Sequence, residues 1–210
     1  INEYIDLMLY RDLTERFAVK SPQLIKYLLK YLLNHLGSLL SVNKVFNDLK
    51  SQGFKVGKNK IYDYISHLEE AFIIFRTNIW SRSVRKQAIN PSKIYAIDPA
   101  FKYAMSINED TGRIFENAVF LELRRRGIEP HYYFQKQEAD FYWENGQIIN
   151  ACHEMHQPNT RNREINGLLE AMNFLELKEG LLLNWDEKKE LIVDNKKIII
   201  RPLWEFLLDK

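Results

Sequence analysis

The segment Gly112–Gln157 constrains the fold of this chain most, because its hydrophobic pattern changes from a helical period to a strand period. Apolar residues recur at helical spacing over Phe115–Leu123, and Gly127 is typical of a helix end. Apolar or alternating runs follow and predict three short strands, at Tyr132–Gln135, Glu138–Glu144 and Ile148–Glu154. The segment therefore predicts one amphipathic helix followed by three neighbouring strands.

Two acidic residues of this segment occupy positions suited to metal binding. Glu116 lies in the first turn of the predicted helix, and Asp140 lies in the second predicted strand. Carboxylate oxygens are the ligands that Mg²⁺ and Mn²⁺ prefer. A helix acid and a strand acid make up half of a two-carboxylate metal site, and the other half is missing. We expect no metal in this chain, with Asp140 and Glu116 as the ligands if one binds.

Composition limits the class of protein without identifying it. The chain has 210 residues, 46% of them hydrophobic, and a formal net charge of +2, so nucleic-acid binding must rest on local patches. A single cysteine excludes an internal disulfide and favours a reducing, cytoplasmic location. The sequence contains no apolar run of about 18 residues, hence no predicted membrane span. Because the chain opens at Ile1 within an amphipathic pattern, we interpret it as a fragment of a longer protein.

The first third of the chain predicts helices arranged as a helix-turn-helix. Ile5, Leu9, Leu13 and Phe17 mark one face of a first helix. Further helices are predicted by caps and glycine stops at Gln23–His35, Val42–Ser51 and Lys58–Ala71. The last two are separated by a turn containing glycine, which is typical of a helix-turn-helix. Two strands, Ile73–Trp80 and Lys93–Ile97, would complete a winged helix, with the residues between them as a basic wing.

Basic and polar residues of this predicted domain are candidate contacts to double-stranded DNA. They are Lys58, Asn59, Lys60 and Tyr62 at the start of the predicted helix Lys58–Ala71, and Arg82, Arg85 and Lys86 in the wing. Lysine and arginine at such positions bind phosphates and fix the orientation of a protein on the duplex. The alternative interpretation is a domain used for protein packing, because Asp63 and Glu69 weaken the positive face.

The second half predicts an α/β domain, and the whole chain is predicted as α+β or α/β. After Gln157 come a helix around Leu168, a buried strand at Leu181–Asn184, a hairpin around Asp194-Asn195 and a last helix after Pro202. The predicted result is a mixed sheet flanked by helices. We place the boundary near residue 105, with domains at 1–105 and 106–210.

The order of helix, strands and acids resembles nucleases of the PD-(D/E)XK type, and hence the restriction-endonuclease fold. The resemblance implies that Glu116 and Asp140 are the helix and strand acids of a metal-dependent phosphodiesterase site. The strand that should carry Glu-x-Lys instead has Asn150 and Cys152, which supply neither a carboxylate nor an ammonium group. Glu154, two residues further along the same face if the strand continues, is the candidate replacement.

The chain as a whole resembles the C-terminal region of prokaryotic AAA+-type ATPases of the archaeal ATPase family, in which a winged helix and a nuclease-like domain follow an ATPase module. The segments that carry the resemblance are YRDLTERF, SVNKVFNDLKSQG, YDYISHLEEAFIIF, PSKIYAID, GRIFENAVFLELRRRG, EADF and IIIRPLWEFLL. The resemblance implies that ATP binds to a module N-terminal to this region, and that this module is its partner.

Three functions follow as hypotheses. The first is a non-catalytic targeting or regulatory region of an ATPase that contacts DNA or a protein, with a degenerate nuclease-like site. The second is a Mg²⁺- or Mn²⁺-dependent nuclease with a rearranged site formed by Glu116, Asp140 and Glu154. The third is an assembly module that docks the ATPase or forms an oligomer. Of these we favour the first.

Overall fold

The computed structural model describes residues 2–105, 110–143 and 146–209, and they form two compact units. The first unit comprises Ile1–Arg76 and Pro91–Glu109, and the second comprises Thr77–Asn90 and Asp110–Lys210. The predicted boundary near residue 105 adjoins residues 106–109, which lie outside the described residues. Ile1 and Glu144, at the ends of a predicted helix and a predicted strand, also lie outside them. The division into domains at this boundary stays a prediction.

The first unit is mainly helical. Helix α1 passes directly into a π-helical segment, Leu9–Glu15, and two short strands, β1 and β2, pair as a small sheet. In chain order, the elements up to residue 105 are α1 (Asn2–Met8), α2 (Pro22–Asn34), α3 (Val42–Ser51), α4 (Lys58–Glu70), β1 (Ile74–Thr77), α5 (Val84–Ile89), β2 (Lys93–Ala96) and α6 (Ala100–Met105). Of these, α5 belongs to the second unit.

The core of the first unit is built from the apolar faces that the sequence predicts. Ile5, Leu9 and Leu13 are buried, and Phe17 is half-buried against them. Helix α2 buries six aliphatic side chains, namely Leu24, Ile25, Leu28, Leu29, Leu32 and Leu33. Helices α3 and α4 pack against each other across a turn in which Gly53 adopts φ +85°, a conformation that favours glycine. The predicted helices and their buried faces are confirmed.

The interpretation of residues 81–92 as a wing loop is wrong. These residues contain helix α5, whose N-cap Ser83 accepts a hydrogen bond from the backbone N–H of Lys86 through its side chain. The chain just before α5 is fixed to β3 of the second unit by hydrogen bonds from the backbone N–H of Trp80 to Tyr132 O (2.7 Å) and from Tyr132 N–H to Asn78 O (3.1 Å). A serine cap and this anchoring favour a helix in the second unit over an open loop.

The second unit is a six-stranded mixed sheet flanked by helices. Its remaining elements are α7 (Thr111–Arg125), β3 (His131–Phe134), β4 (Glu138–Trp143), β5 (Gln147–Ala151), α8 (Pro158–Phe174), β6 (Glu179–Asn184), β7 (Lys189–Val193), β8 (Lys196–Pro202) and α9 (Leu203–Leu208). The strand order is β3-β4-β5-β6-β8-β7. A mixed α and β fold with a mixed sheet is therefore confirmed.

Pairing in this sheet changes from antiparallel to parallel at β5. Strands β3, β4 and β5 form an antiparallel meander, whereas β5 pairs with β6, and β6 with β8, in parallel. Helix α8 connects the parallel pair β5 and β6. Strand β7 pairs with β8 in the predicted hairpin, whose turn residues Asp194 and Asn195 both have positive φ, as a tight hairpin turn requires.

Helix α8 lies unusually close to the sheet at Gly167. A Cβ at this position would meet the backbone oxygen of Glu138 on β4 at 2.7 Å. Leu168, Ala171 and Met172 on the same helix are buried in the core of the unit with Leu182 and Ile198. The missing side chain at Gly167 therefore sets the depth at which α8 packs on the sheet.

We expect Gly167→Ala to lower the free energy of unfolding by about 1–3 kcal/mol, because the new methyl group contacts backbone that cannot rotate away. Urea unfolding measures the change. The matched control is Gly112→Ala in α7, where the new Cβ would approach Asp110 Oδ1 at an ordinary 3.6 Å. The control should gain up to about 1 kcal/mol from helix propensity. A Gly167→Ala variant as stable as the control would contradict this account of the packing.

No helix in the described part of the chain is long and apolar enough to cross a membrane.

Candidate functional site

The second unit contains a charged cleft of about 1050 Å³. It is bounded by the start of α7, the β3–β4 turn, the residues that follow β5 and the first turns of α8. Six acidic residues line it, namely Asp110, Glu116, Glu138, Asp140, Glu154 and Glu164. Three cationic side chains lie among them, Arg113, Lys136 and Arg163. The cleft therefore brings together all three predicted catalytic residues, Glu116, Asp140 and Glu154.

A hydrogen-bond network joins β4, β5 and α8 at the floor of this cleft. The Asn150 side chain accepts from Asp140 N–H through Oδ1 (3.2 Å) and donates through Nδ2 to the carboxylate of Glu164 (3.1 Å). Asp140 Oδ2 in turn accepts from the backbone N–H of Ala151 (2.9 Å). Asn150 uses both ends of its amide in this network, so it has a structural role where the nuclease pattern would have glutamate.

Two arginines form ion pairs with two of the six cleft acids. Arg113 Nη1 donates to Glu116 Oε2 (3.2 Å), and Arg163 Nη2 donates to Glu164 Oε1 (2.7 Å). Burial alone would lower the pKa of Arg113, but the charges of Glu116, Asp110 and Asp140 outweigh it and raise the pKa. The hydrogen bond to Glu164 and its charge raise the pKa of Arg163. Both guanidinium groups therefore stay charged at every physiological pH.

The cleft disfavours the ionisation of Glu164. Its burial raises its pKa, and the negative charge of Asp140 raises it further, against the lowering effects of Arg163 and Asn150. Glu116 is buried, with 5% of its surface exposed, and the side chain of Glu164 is 14% exposed. Glu116 and Glu164 are thus two acids with little exposure to solvent, and each forms an ion pair with an arginine.

Cys152 occupies the position of the expected lysine and brings no charge. Strand β5 ends at Ala151, and the thiol of Cys152 donates to the backbone oxygen of Glu154 (3.3 Å). Burial raises the pKa of this thiol to about 11. A raised pKa favours the neutral thiol at neutral pH, so Cys152 does not supply the positive charge of the expected lysine.

The interpretation of Glu154 as a strand residue on the face of Asn150 and Cys152 is wrong, because β5 ends before it. Its side chain remains 73% exposed, with His153 Nδ1 at 3.5 Å from its carboxylate. Glu154 therefore lies at the rim of the cleft and outside the network at the floor.

The donor set does not fit a divalent metal ion. The carboxylates of Glu116 and Glu164 already bind arginines, and that of Asp140 binds a backbone N–H. In ranges 2–105, 110–143 and 146–209, no three histidine, cysteine or acidic side chains stand close enough together to ligate a metal. Hard divalent cations need several free oxygen ligands.

Sequence reasoning missed Glu164, Arg163 and Arg113. A detectable pattern existed for Glu164, because Gly167 lies three residues after it and hence on the same helical face. A glycine inside a predicted helix often marks a close approach to another element. This face of α8 was therefore the one to expect against the sheet.

The predicted DNA contacts fall in different units. Lys58, Asn59, Lys60 and Tyr62 are exposed on the first turns of α4 in the first unit. The other predicted contacts, Arg82, Arg85 and Lys86, are exposed on and just before α5 in the second unit. The two groups therefore belong to different units.

Lysines of the α4 surface are partly oriented by neighbouring rings. Lys58 Nζ lies 5.4 Å from the ring centre of Phe46, and Lys60 Nζ lies 4.9 Å from that of Tyr64. Lys60 also approaches Asp63 at 4.0 Å, a weak exposed contact. The charges of this surface thus remain accessible to an anionic partner.

The fold and cleft define a two-unit protein with a helical first unit and a mixed-sheet second unit. The chain belongs to the family with the domain of unknown function DUF8612, which matches residues 1–111. It is 34% identical to the uncharacterized protein MJ1544 of Methanocaldococcus jannaschii, over 99% of this chain and 49% of that protein. An uncharacterized protein of Haemophilus influenzae is 25% identical over 58% of this chain and 31% of its own length.

The chain thus spans 49% of the length of MJ1544 and 31% of the length of the Haemophilus influenzae protein. No solved structure matches it.

The raised pKa of Glu164 predicts a pH-dependent stability. Below the ordinary value of 4.5 the carboxyl is protonated in both the folded and the unfolded chain. As the pH rises above 4.5, the unfolded chain loses this proton first, so the folded state is progressively penalised. We expect Glu164→Gln to gain stability relative to the wild type as the pH increases, measured by urea unfolding over a pH series.

The control for that series is Glu154→Gln, which removes one negative charge from the rim of the same cleft without touching the buried network. A difference between wild type and Glu164→Gln that does not change with pH would contradict the proposed burial penalty.

Proposed function

We propose that this chain is a non-catalytic region that contacts double-stranded DNA through the start of α4 in its first unit. The observation that carries the proposal is the exposed start of α4. Lys58, Asn59, Lys60 and Tyr62 are exposed there, and Ile61 among them is buried. Side chains of these types bind phosphates and base edges. The proposal thus rests on local charge in a chain that is nearly neutral overall.

The arrangement of α3 and α4 supports this proposal. The two helices are joined by a turn of six residues, 52–57, and pack against each other as the two helices of a helix-turn-helix do. The N-cap of α4 is Gly57, which has no side chain to accept a hydrogen bond from the first backbone N–H groups of the helix. These groups and the positive end of the helix dipole favour a phosphate at this position.

We propose further that the second unit is a PD-(D/E)XK-like scaffold without activity. Its support is the order of α7, the antiparallel strands β3 to β5, then α8 and the parallel strand β6, with Glu116 and Asp140 at the positions that the resemblance implies. Inactivity is supported by Asn150 and Cys152, which replace the expected carboxylate and ammonium groups, and by the arginines bound to Glu116 and Glu164.

The partner implied by the resemblance is an ATPase module of the same protein. In this proposal ATP binds that module, and the region described here directs it to DNA in the cytoplasm. The extra length of MJ1544, of which this chain matches 49%, is compatible with a further module in that relative.

The experiment that tests DNA contact is fluorescence anisotropy of a short labelled duplex over a salt series. We expect binding to weaken steeply with salt, and Lys58→Ala/Lys60→Ala to reduce the slope of log K against log salt by about 2, one unit for each lost phosphate contact. The control variant is Lys30→Ala, which removes an exposed lysine from α2 of the same unit.

If the wild type fails to bind at low salt, or the double variant binds with the wild-type salt slope, α4 is not the DNA contact. Duplex cleavage in the presence of Mn²⁺ would instead favour the nuclease hypothesis for the second unit.

A further inference from the structure

Helix α5 is a surface helix with the charge and exposure of a docking element. None of its residues is buried, and Val84 and Ile89 are 79% and 71% exposed. Between Arg76 and Pro91 the sequence contains Arg82, Arg85 and Lys86 but no acidic residue. Arg82, Arg85 and Lys86 have no ion pair with any residue that the structure describes.

The position of α5 is nonetheless fixed. The chain before it pairs with β3 at Ile79, and the ring of Trp80 packs edge-on against Tyr142 at 5.3 Å between ring centres. The side chain of Gln87 also donates to Ser81 O at 2.8 Å. A helix whose backbone is already held in place loses little further backbone entropy on binding a partner.

The cleft of the second unit has complementary charge. Its six acids outnumber its three cations, and the exposed Glu154 lies at its rim. Phe134, which is 46% exposed, adds apolar surface to its lining. Interfaces commonly pair surfaces of opposite potential, which raises the association rate and selects the partner.

We propose that α5 of one copy of this chain binds in the cleft of a second copy. The sizes agree, because a six-residue helix is about 9 Å long and about 10 Å across and fills on the order of 700 Å³, within a cleft of about 1050 Å³. If each copy contributes its helix to the other, the two contacts form a closed two-fold dimer.

The exposed aliphatic residues favour a protein partner over DNA for this helix. Val84 and Ile89 stand on either side of Arg85 and Lys86 in sequence. A phosphodiester backbone offers these side chains no apolar contact, whereas the cleft provides Phe134. The surface of α4 that we propose for DNA lies in the other unit, so the two proposals can fail separately.

Sedimentation velocity over a protein concentration series, at low and high salt, tests this dimer. We expect the wild type to associate as concentration rises, more weakly at high salt. Arg85→Glu/Lys86→Glu should raise the dissociation constant about tenfold or more, and Glu154→Lys should raise it in the same direction. The two variants mixed together should associate more tightly than either alone, because one charge pairing is restored with reversed sign.

The matched control is Lys178→Glu, which reverses an exposed charge of the same unit and should dimerise as the wild type does. Since α5 has no buried residue, its double variant should keep the wild-type circular dichroism spectrum and melting temperature. A wild type that stays monomeric at low salt, or a double variant that associates normally, overturns the proposal. Weaker DNA binding by the double variant without any change in mass would assign α5 to DNA.

Discussion

The fold of the second unit depends on the contact between Asp140, Asn150 and Glu164, which joins two neighbouring strands to the helix that follows them. Asn150 accepts a hydrogen bond from the backbone N–H of Asp140 through Oδ1 and donates one to the carboxylate of Glu164 through Nδ2. Gly167, one turn beyond Glu164, lets the helix approach the backbone of β4 closely enough for this contact. Asn150 is buried, and a buried polar side chain is costly to leave unpaired. Its hydrogen bonds therefore hold β4, β5 and α8 in place around the cleft.

The same network and its arginines set the charge that the cleft of the second unit presents. Arg113 and Arg163 engage Glu116 and Glu164, and burial raises the pKa of the Cys152 thiol, while Glu154 stays exposed at the rim of the cleft. Its remaining negative potential suits a cationic protein partner. The exposed lysines of α4 suit an anionic one. In this account the chain binds through two surfaces and catalyses at neither.

The sequence predicted the elements whose periodicity is strong. The buried faces of the first helices, the three strands before α8 and the hairpin at Asp194 follow from apolar spacing and turn chemistry, which are local properties. It did not predict α5, because a basic segment with few buried residues lacks periodicity. Nor did it predict the role of Glu164, because this depends on how closely α8 approaches the sheet. The end of β5 at Ala151 moved Glu154 to the cleft rim, an error at an element boundary.

The measurement that tests this account most directly is a calorimetric titration of the wild type and of Asp140→Asn with Mn²⁺. Asparagine at position 140 can still accept the hydrogen bond from Ala151 N–H, so the variant removes one charge and little else. Because arginines occupy the neighbouring carboxylates, we predict the same weak heats for both proteins. Stoichiometric Mn²⁺ binding by the wild type that is lost in Asp140→Asn would contradict the account and restore the hypothesis of a metal-dependent nuclease.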